Sequence, residues 1–392
     1  MDRRSFLQQS TLASASLFMP RFLQGLPSLG SQNRILIVIQ LSGGNDGLNT
    51  IIPYRNDLYY ENRPGLAIPK DELLPVHDEL GLHPSLSPLR ELYDQGWLSV
   101  VNSVGYPNPD RSHFRSMDIW HTASASDTYL HTGWLGRYLD NHCPGSAPHT
   151  AIEVDDSLSL ALKGERQSGL AVSDPQKMYK AVHQPFFEAI AKEKPAGDTQ
   201  AFLYKTLTDT QSSTEYLVGL TKDQRTTGEY PATPFGKDLR QIAELIAHGA
   251  STRIYYASLG SFDTHANQAR QQARLLEQYA QGIKALVQDL RHHGVFQETL
   301  ILTFSEFGRR VKQNASGGTD HGAANNLFLI GDRFPKAGFY NAPPDLQQLD
   351  QGDLMYQVDF RNIYATVLEK WMDAESFPIL GSRFEIMGNL LP

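Results

Sequence analysis

The chain has 392 residues, of which 40% are hydrophobic and 20% are charged, and its formal net charge at pH 7 is -8. This length allows a large buried core, and the ordinary balance of apolar and charged residues indicates a globular protein. Because the chain is acidic, lacks a basic stripe and has no apolar run of the roughly 18 to 20 residues that span a bilayer, we expect no nucleic-acid partner and no stable membrane span.

The N-terminal 30 residues have the pattern of an export signal. Two arginines, Arg3 and Arg4, precede an apolar stretch at residues 11–19. This arrangement predicts recognition by the twin-arginine export machinery and a periplasmic or secreted location, and the alternative is a flexible tail that contains two arginines. Cys143 is the only cysteine, which excludes an intrachain disulfide and suits a protein that folds before export.

Apolar runs of strand length recur along the chain, and polar side chains follow them. The runs cover residues 34–41, 98–104, 253–259 and 299–304. The first run lacks the alternation of a half-exposed strand, which indicates a buried central strand. Ligands of open α/β sheets bind in the loops that leave the carboxyl ends of strands. The polar residues of these loops are therefore candidate site residues: Asp46, Ser112 with His113, Asp263, His265, Glu306, Arg309, Arg310, Asp320 and His321.

Helical patterns lie between these strands. They predict helices at residues 85–95, from about 112 to 123, 132–142, 268–294 and 358–371, with short strands at 149–155 and 169–172. Residues 174–250 show helical periodicity in pieces that a loop rich in Thr, Gly and Pro separates. We therefore predict one large domain over residues 31–392, in which residues 174–250 are a helical insertion.

Each polar loop also has an ordinary structural interpretation. Asp46 lies in a Gly-Asn-Asp-Gly segment, whose residue types are typical of a turn. Ser112 suits a helix N-cap, and Asp263 suits an N-cap with a surface histidine beside it. What favours a site is their joint placement, because the exit loops of parallel neighbouring strands converge on one edge of a sheet. Carboxylates with imidazoles suit Zn²⁺, Mn²⁺ or a related divalent ion, and a cation relieves the repulsion between clustered carboxylates.

Four longer motifs resemble a known family. They lie at residues 41–50 (LSGGNDGLNT), 263–265 (DTH), 305–309 (SEFGR) and 318–322 (GTDHG). Behind a twin-arginine signal, they resemble the exported bacterial family called domain-of-unknown-function family 1501 over nearly the whole mature chain. That family looks like a branch of the alkaline phosphatase and sulfatase superfamily. The resemblance implies an α/β fold, an alkaline phosphatase-like three-layer sandwich with a central mostly parallel sheet and an inserted helical cap region.

The resemblance also implies roles for particular residues, because the superfamily uses two divalent ions and a hydroxyl or formylglycine nucleophile. Ser112 stands in the position of the nucleophile. The implied ligands are Asp263, His265 and His321 for a first ion and Asp46 and Glu306 for a second, with Asp320 as a further candidate. The ions would be one or two of Zn²⁺, Mn²⁺, Mg²⁺ or Ca²⁺. From the residues themselves, Arg111, Arg309 or Arg310 can clamp an anionic substrate through paired N–H donors.

The chain departs from the superfamily pattern in three ways. The usual Asp-x-x-x-His spacing is shortened to Asp263-x-His265, and Asn267 occupies the usual place of the histidine. Phe307 stands where an imidazole would serve the second ion. The loop of Ser112 contains no cysteine, which excludes a formylglycine made from Cys.

These features predict an exported metal-dependent hydrolase of phosphate or sulfate esters, whose substrate is a small anionic ester or a sulfated or phosphorylated molecule. The nucleophile would be a hydroxyl or a metal-activated water. One alternative is a catalytically degenerate exported binding or assembly protein, which Phe307 favours. Another is a purely structural interpretation in which the Gly-rich loops are simple turns and no ion binds.

Overall fold

The loops that carry the candidate residues are positioned by one large β-sheet. The computed structural model describes residues 34–191, 197–221 and 223–392. The predicted export signal, residues 1–30, lies outside the described residues. The division of the chain into a signal and a domain stays a prediction.

The described residues form strands and helices that alternate along much of the chain. The strands are β1 (Ile35–Leu41), β2 (Ile51–Ile52), β3 (Leu74–Pro75), β4 (Gly81–Leu82), β5 (Leu98–Gly105), β6 (Ala151–Glu153), β7 (Leu170–Ala171), β8 (Ile254–Leu259), β9 (Thr299–Phe304), β10 (Arg309–Gln313), β11 (Thr319–His321), β12 (Asn325–Ile330), β13 (Gly338–Phe339), β14 (Leu349–Asp350), β15 (Asp353–Leu354) and β16 (Val358–Asp359). The α-helices are α1 (Asp57–Asn62), α2 (Ser87–Asp94), α3 (His113–Thr122), α4 (Trp134–His142), α5 (Pro175–Val182), α6 (Pro185–Ile190), α7 (Asp198–Leu220), α8 (Pro234–Ala247), α9 (Gln268–His292), α10 (Phe360–Thr366) and α11 (Ser376–Leu380).

The large sheet is mostly parallel. Its strand order is β13-β5-β12-β9-β1-β8-β6-β7, and β16 pairs with β5. Strand β1 runs parallel to both neighbours, so that Val38 lies opposite Tyr256 of β8 and Leu302 of β9. Strand β12 is antiparallel to β5 and β9, and the other pairs in this sheet are parallel. The expected α/β fold with a central mostly parallel sheet is therefore confirmed.

Helices cover both faces of this sheet. Alternate side chains of β1 enter two separate cores, Ile37 and Ile39 on one face and Leu36 and Val38 on the other. Helices α2, α8 and α9 pack in the first core, and α3, α4, α10 and α11 pack in the second. Because both faces are buried, the strand needs apolar side chains at nearly every position, which explains its continuous apolar run. The three-layer arrangement is confirmed.

The described part of residues 174–250 contains helices α5, α6, α7 and α8, with α5 packed against α7, and a loop over residues 223–233. Helix α8 contributes Leu239 and Ile242 to the first core and packs against α9, so it belongs to the helical layer beside the sheet. The separation of this segment as an inserted cap stays a prediction. None of the helices in the described residues combines the length and apolar character needed to cross a membrane.

The sheet brings four exit loops to one edge, with one difference from expectation. Strands β1, β8 and β9 are adjacent and parallel, as the motif placement requires. Strand β5 runs in the same direction but is not adjacent to β9, because antiparallel β12 lies between them. The loop after β5 therefore reaches the site from the side, through the start of α3.

Candidate metal centre

Asp263 and three imidazoles meet at the carboxyl edge of the sheet. Asp263 and His265 follow β8, His321 ends β11, and His113 begins α3. Asp263 Oδ1 lies 3.0 Å from His265 Nε2 and 3.1 Å from His321 Nε2, and Asp263 Oδ2 lies 3.4 Å from His113 Nε2. One ligand atom each from His113, Asp263 and His321 all lie within 4.8 Å of one another. This is a compact group of N and O donors.

Two of the imidazoles are held in the tautomer that a metal ligand needs. His321 Nδ1 lies 2.7 Å from the carbonyl oxygen of Arg111, which can only accept, so Nδ1 carries the hydrogen. His113 Nδ1 lies 2.9 Å from Glu306 Oε1, which assigns its hydrogen to Nδ1 in the same way. Each Nε2 of the neutral ring is then left with a lone pair that is directed toward Asp263.

This arrangement fits a cation. A lone pair and a carboxylate oxygen about 3 Å apart repel each other unless a proton or a metal ion lies between them. His113 Nε2 is buried and has no hydrogen-bond partner in the part of the chain that the structure describes. His265 Nε2 and His321 Nε2 also face each other at 2.9 Å. Nitrogen and carboxylate donors of this kind suit Zn²⁺ or Mn²⁺.

The surroundings keep Asp263 ionised. Burial would raise its pKa, but the hydrogen bond from Arg309 and the positive charge of that guanidinium act against burial, and the pKa is lowered to about 2. The hydrogen bond with Glu306 raises the pKa of His113 despite burial, and the charge of Asp263 adds to this increase. A proton therefore competes with a cation for His113 Nε2, so metal binding should weaken as the pH falls.

Arg309 holds the loops together beneath this group. It is 1% exposed, and its guanidinium donates to the carbonyl oxygens of Gly44 (2.6 Å), Phe262 (3.0 Å) and Thr319 (2.8 Å). It also donates to Asp263 Oδ1 at 2.8 Å. The predicted role of Arg309 as a substrate clamp does not match this position, because the guanidinium is buried among backbone carbonyls. It instead fixes three exit loops relative to one another.

Ser112 lies at the N-cap position of α3, directly before His113. Its side chain is exposed and makes no capping hydrogen bond, so the expected cap is not formed. The backbone N–H of Ser112 donates to Asp110 Oδ1 at 2.7 Å. Arg111 pairs with the buried Asp353 through Nε at 2.9 Å, and its carbonyl accepts from His321. Ser112 is therefore flanked along the chain by Arg111, whose carbonyl contacts His321, and by His113, which faces Asp263.

The two carboxylates expected to bind a second ion are already engaged by the protein. Asp46 is 1% exposed, and its Oδ2 lies 2.6 Å from Arg63 Nη1 and also accepts from Gln268. Glu306 is 0% exposed, and its Oε1 accepts from the backbone N–H of Gly43 at 2.8 Å as well as from His113. The structure therefore does not join Asp46 and Glu306 into a second ion site. Glu306 instead orients a ligand of the first.

Phe307 packs against the group from below. Its ring centroid lies 4.8 Å from that of His113 and 4.7 Å from that of His321. Gly44 has φ +70, and a Cβ there would lie 2.2 Å from Phe307 Cε2, so the loop after β1 needs glycine to pass over this ring. Phe307 thus forms an apolar wall that holds two imidazoles, at the place where a second-ion imidazole was expected.

The remaining predicted residues lie around this group. Asp320 is 58% exposed and lies 3.5 Å from His265 Nδ1, so it faces the outer side of that ring. Arg310 lies 3.5 Å from Asp353, with which Arg111 also pairs. The predicted ligand set omitted His113. The signal that could have identified it is its position next to Ser112, at the end of the same exit loop.

The fold and this group define an α/β protein with a candidate one-ion centre at the carboxyl edge of its sheet. The chain belongs to the family described as "Protein of unknown function (DUF1501)", whose model matches residues 33–375. The family expected from the motifs is thereby confirmed. No curated protein matches the chain.

Solved structures of several enzymes and domains are similar to the chain at low identity. One is the C-terminal periplasmic domain of EcEptC from Escherichia coli in complex with Zn, with 11% identity, coverage of 76% of this chain and 73% of that chain, and a TM-score of 0.40. Another is PsFucS1 sulfatase from Pseudoalteromonas sp., with 12% identity, coverage of 89% and 68%, and a TM-score of 0.36. The phosphonate monoester hydrolase SpPMH from Silicibacter pomeroyi has 11% identity, coverage of 90% and 77%, and a TM-score of 0.36.

Proposed function

We propose that this protein is an exported hydrolase of phosphate or sulfate esters that depends on one divalent ion. The observation that supports this most directly is the pair of oriented imidazoles, His113 and His321, whose Nε2 atoms face the ionised Asp263. An exposed hydroxyl, that of Ser112, stands directly before the first of them. We also propose, from the motifs, that the family is a branch of the alkaline phosphatase and sulfatase superfamily.

The residues divide into ligands, supports and a candidate nucleophile. His113, Asp263, His265 and His321 would hold the ion, and Glu306 and the Arg111 carbonyl fix the orientation of two of these rings. A bound divalent ion supplies Lewis acidity, which lowers the pKa of a nearby hydroxyl or water and offsets negative charge on the ester oxygens.

Ser112 is the candidate nucleophile, and a water bound in the same place is the alternative. Its position at the start of the ten-residue helix α3 places free backbone N–H groups beside any anion at the hydroxyl. Arg111 is half-exposed, and its pairing with Asp353 holds it at the same loop. These groups would bind and orient the ester oxygens while the hydroxyl or water attacks phosphorus or sulfur.

The test combines metal content with a screen of esters. Full-length protein recovered after export should contain about one equivalent of divalent metal by elemental analysis. It should also turn over at least one aryl phosphate or sulfate in a screen with Zn²⁺, Mn²⁺, Mg²⁺ and Ca²⁺. Ser112→Ala should lower that turnover by roughly a hundredfold or more, since loss of a nucleophile removes an interaction made in the transition state.

Ser382→Ala is the matched control, because Ser382 is also exposed but lies near the C-terminus, far along the chain from these loops. Equal turnover in the Ser112 and Ser382 variants would exclude Ser112 as the nucleophile, and a bound water would then be the remaining candidate. Absence of bound metal together with unchanged turnover in the Ser112 variant would overturn the proposal.

A degenerate binding or assembly protein is the second candidate. The observation that favours it is the replacement of a second ion site by Arg63, Gln268 and Phe307, which leaves one ion at most among the described residues. Bound metal without turnover of any ester in the same screen would support it. Robust metal-dependent turnover would exclude it.

The proposed location is tested separately. Replacement of Arg3 and Arg4 by lysine should keep the protein in the cytoplasmic fraction, since the export machinery reads the arginine pair. An unchanged distribution between fractions would contradict export by this route.

A further inference from the structure

A cavity with two arginines opens beside the candidate metal centre. Its volume is about 670 Å³, and its lining includes Arg270 and Arg274 of α9 together with Gly65, Leu66, Asn267 and Gly317. None of the residues that line it is acidic. The lining of this cavity is therefore positively charged, although the formal net charge of the chain is -8.

The two arginines are not neutralised by the protein. Both side chains are exposed, and within the described residues neither guanidinium group forms a hydrogen bond, an ion pair or a ring contact. They are four residues apart on one helix, so their guanidinium groups project from the same face and repel each other. Other arginines near the site, Arg63 and Arg309, are paired with carboxylates. Arg270 and Arg274 therefore lack a counter-charge that the fold supplies elsewhere.

The walls of the cavity are held in place. The backbone N–H groups of Gly65 and Leu66 donate to Gln313 Oε1 at 2.8 Å and 3.0 Å. On the opposite side, the backbone N–H of Gln268 donates to the carbonyl of Gly317 at 3.0 Å. These bonds fix both walls to β10 and to the loop after it, so the cavity is a built feature of the fold.

The loop after β10 also lies between the cavity and the candidate metal centre formed by Asp263 and the three imidazoles. Asn314 Nδ2 donates to the carbonyl of His265 at 2.9 Å, and Asn314 Oδ1 accepts from the N–H of Gly318 at 3.1 Å. Gly318 lies so close to His265 that a Cβ there would be 2.3 Å from its backbone carbon. Residues 314–318 are thus a shared wall, with His265 on one side and the arginine cavity on the other.

We propose that this cavity is a subsite for a second anionic group of the substrate. The proposal rests on the function proposed above and restricts its substrate class. The substrate is an ester that carries at least one further phosphate or sulfate, such as a multiply phosphorylated or sulfated sugar. Guanidinium groups bind these anions through paired N–H donors, and two of them can hold one anion without help from a cofactor. The reacting ester would lie at His265 while the second anion lies at Arg270 and Arg274.

Direct binding tests the cavity without requiring turnover. Full-length protein is titrated calorimetrically with sucrose octasulfate and, separately, with glucose 1,6-bisphosphate, so that the two probes distinguish sulfate from phosphate. In the Arg270→Ala/Arg274→Ala variant the affinity for at least one probe should fall by about tenfold or more, as loss of charge-assisted hydrogen bonds implies. The Lys180→Ala/Lys237→Ala variant is the control, because it also removes two exposed positive charges, but from α5 and α8.

A kinetic measurement then tests whether the cavity serves the substrate. On the ester that the screen identifies, the preference for a doubly anionic substrate over its singly anionic counterpart, as a ratio of kcat/KM, should fall about tenfold in the arginine variant and persist in the lysine variant.

Three outcomes decide the question. Equal affinities in wild type and both variants, or equal losses in both variants, would overturn the subsite. Arginine-dependent binding with the predicted loss of preference supports it. Arginine-dependent binding by a protein that turns over no ester supports the anion site and counts against the proposed hydrolase.

Discussion

Two sets of carboxylates lie within the same exit loops, and they have opposite environments. Asp263 is 46% exposed and faces three imidazoles, one of which has a buried Nε2 without a hydrogen-bond partner. Asp46 and Glu306 are at most 1% exposed and already accept hydrogen bonds from Arg63, Gln268, His113 and backbone N–H groups. Arg309 donates to Asp263 Oδ1, but Asp263 Oδ2 and the imidazoles remain open to a cation from solution, whereas both oxygens of Asp46 and of Glu306 are engaged by the protein itself.

This difference shows that the presence of a carboxylate in one of these sequence motifs is not enough to define a metal ligand. A buried carboxylate must be neutralised, and a side-chain cation or a metal ion can do so. Arg63 takes the place at Asp46 that an ion would otherwise fill. The same chemistry therefore produces a structural ion pair in one loop and a candidate binding site in the next.

The largest expected effect comes from removal of the internal cation. Arg63→Ala should lower the free energy of unfolding by about 3 to 5 kcal/mol, because it leaves Asp46 buried without its partner. Urea denaturation measures this, and Arg55→Ala, which removes an exposed arginine eight residues earlier in the chain, is the control. A loss similar to that of the control would mean that Asp46 does not depend on Arg63, and would reopen a second ion site.

A third buried carboxylate extends the comparison. Glu153 is 4% exposed, forms no ion pair among the described residues, and accepts from the Ser159 N–H at 2.6 Å. Burial raises its pKa to about 7, although the hydrogen bonds from Ser159 oppose this. Since the unfolded chain releases this proton near pH 4.5, stability should fall as pH rises from 4.5 through 7.

Glu153→Gln should remove that dependence. Between pH 4.5 and pH 8 the wild type should lose about 3 kcal/mol of unfolding free energy relative to this variant, from the size of the pKa difference. Denaturation at several pH values measures the change, and Glu165→Gln, an exposed residue, is the control. Parallel pH profiles for wild type and Glu153→Gln would show that the Glu153 carboxyl is neutralised by another group.

A divalent ion should stabilise the folded protein by binding to Asp263 and the imidazoles around it. At a free ion concentration of about 100 Kd, binding to the native state alone adds about 2.7 kcal/mol to the free energy of unfolding. This gain should vanish in His321→Ala and persist in His131→Ala, an exposed histidine outside the group. Thermal denaturation with and without Zn²⁺ or Mn²⁺ measures it. The absence of any rise in wild type would favour the purely structural interpretation.

The smallest expected effect is on metal affinity, when Glu306, which orients the candidate ligand His113, loses its charge. Glu306→Gln should weaken metal binding by about ten- to a hundredfold, because it removes the negative charge that orients and polarises His113 while keeping an acceptor for Gly43. Competition with a chelating dye measures the Kd, and Glu375→Gln is an exposed control. An unchanged Kd would show that His113 is oriented without the Glu306 charge.

Much of the fold was predictable from local pattern. The apolar runs at residues 34–41, 98–104, 253–259 and 299–304 match β1, β5, β8 and β9 within a residue or two, because a strand buried on both faces needs apolar side chains throughout. The long amphipathic stretch after Gln268 forms α9. The antiparallel insertion of β12 between β9 and β5 was not predictable, since strand order depends on contacts between distant segments.

The candidate site was predictable in part. Asp263, His265 and His321 were expected together and lie within hydrogen-bonding distance in the structure. His113 was a candidate residue of its loop but was given no role as a ligand, because the nucleophile and N-cap interpretations drew attention to Ser112 beside it. The internal roles of Arg63 and Arg309 were also missed, because each reaches carboxylates and carbonyls more than a dozen residues away along the chain.

The amino-acid sequence by itself determined which segments are buried strands and helices and which loops carry carboxylates and imidazoles, because those properties follow from side-chain polarity and its local period. Only the tertiary structure decided which carboxylates remain open to an ion and which are neutralised by arginine, histidine and backbone N–H groups. The reason is that electrostatic neutralisation depends on spatial neighbours, and Arg63, Asp46, His113 and Glu306 become neighbours only when the sheet brings distant loops to one edge.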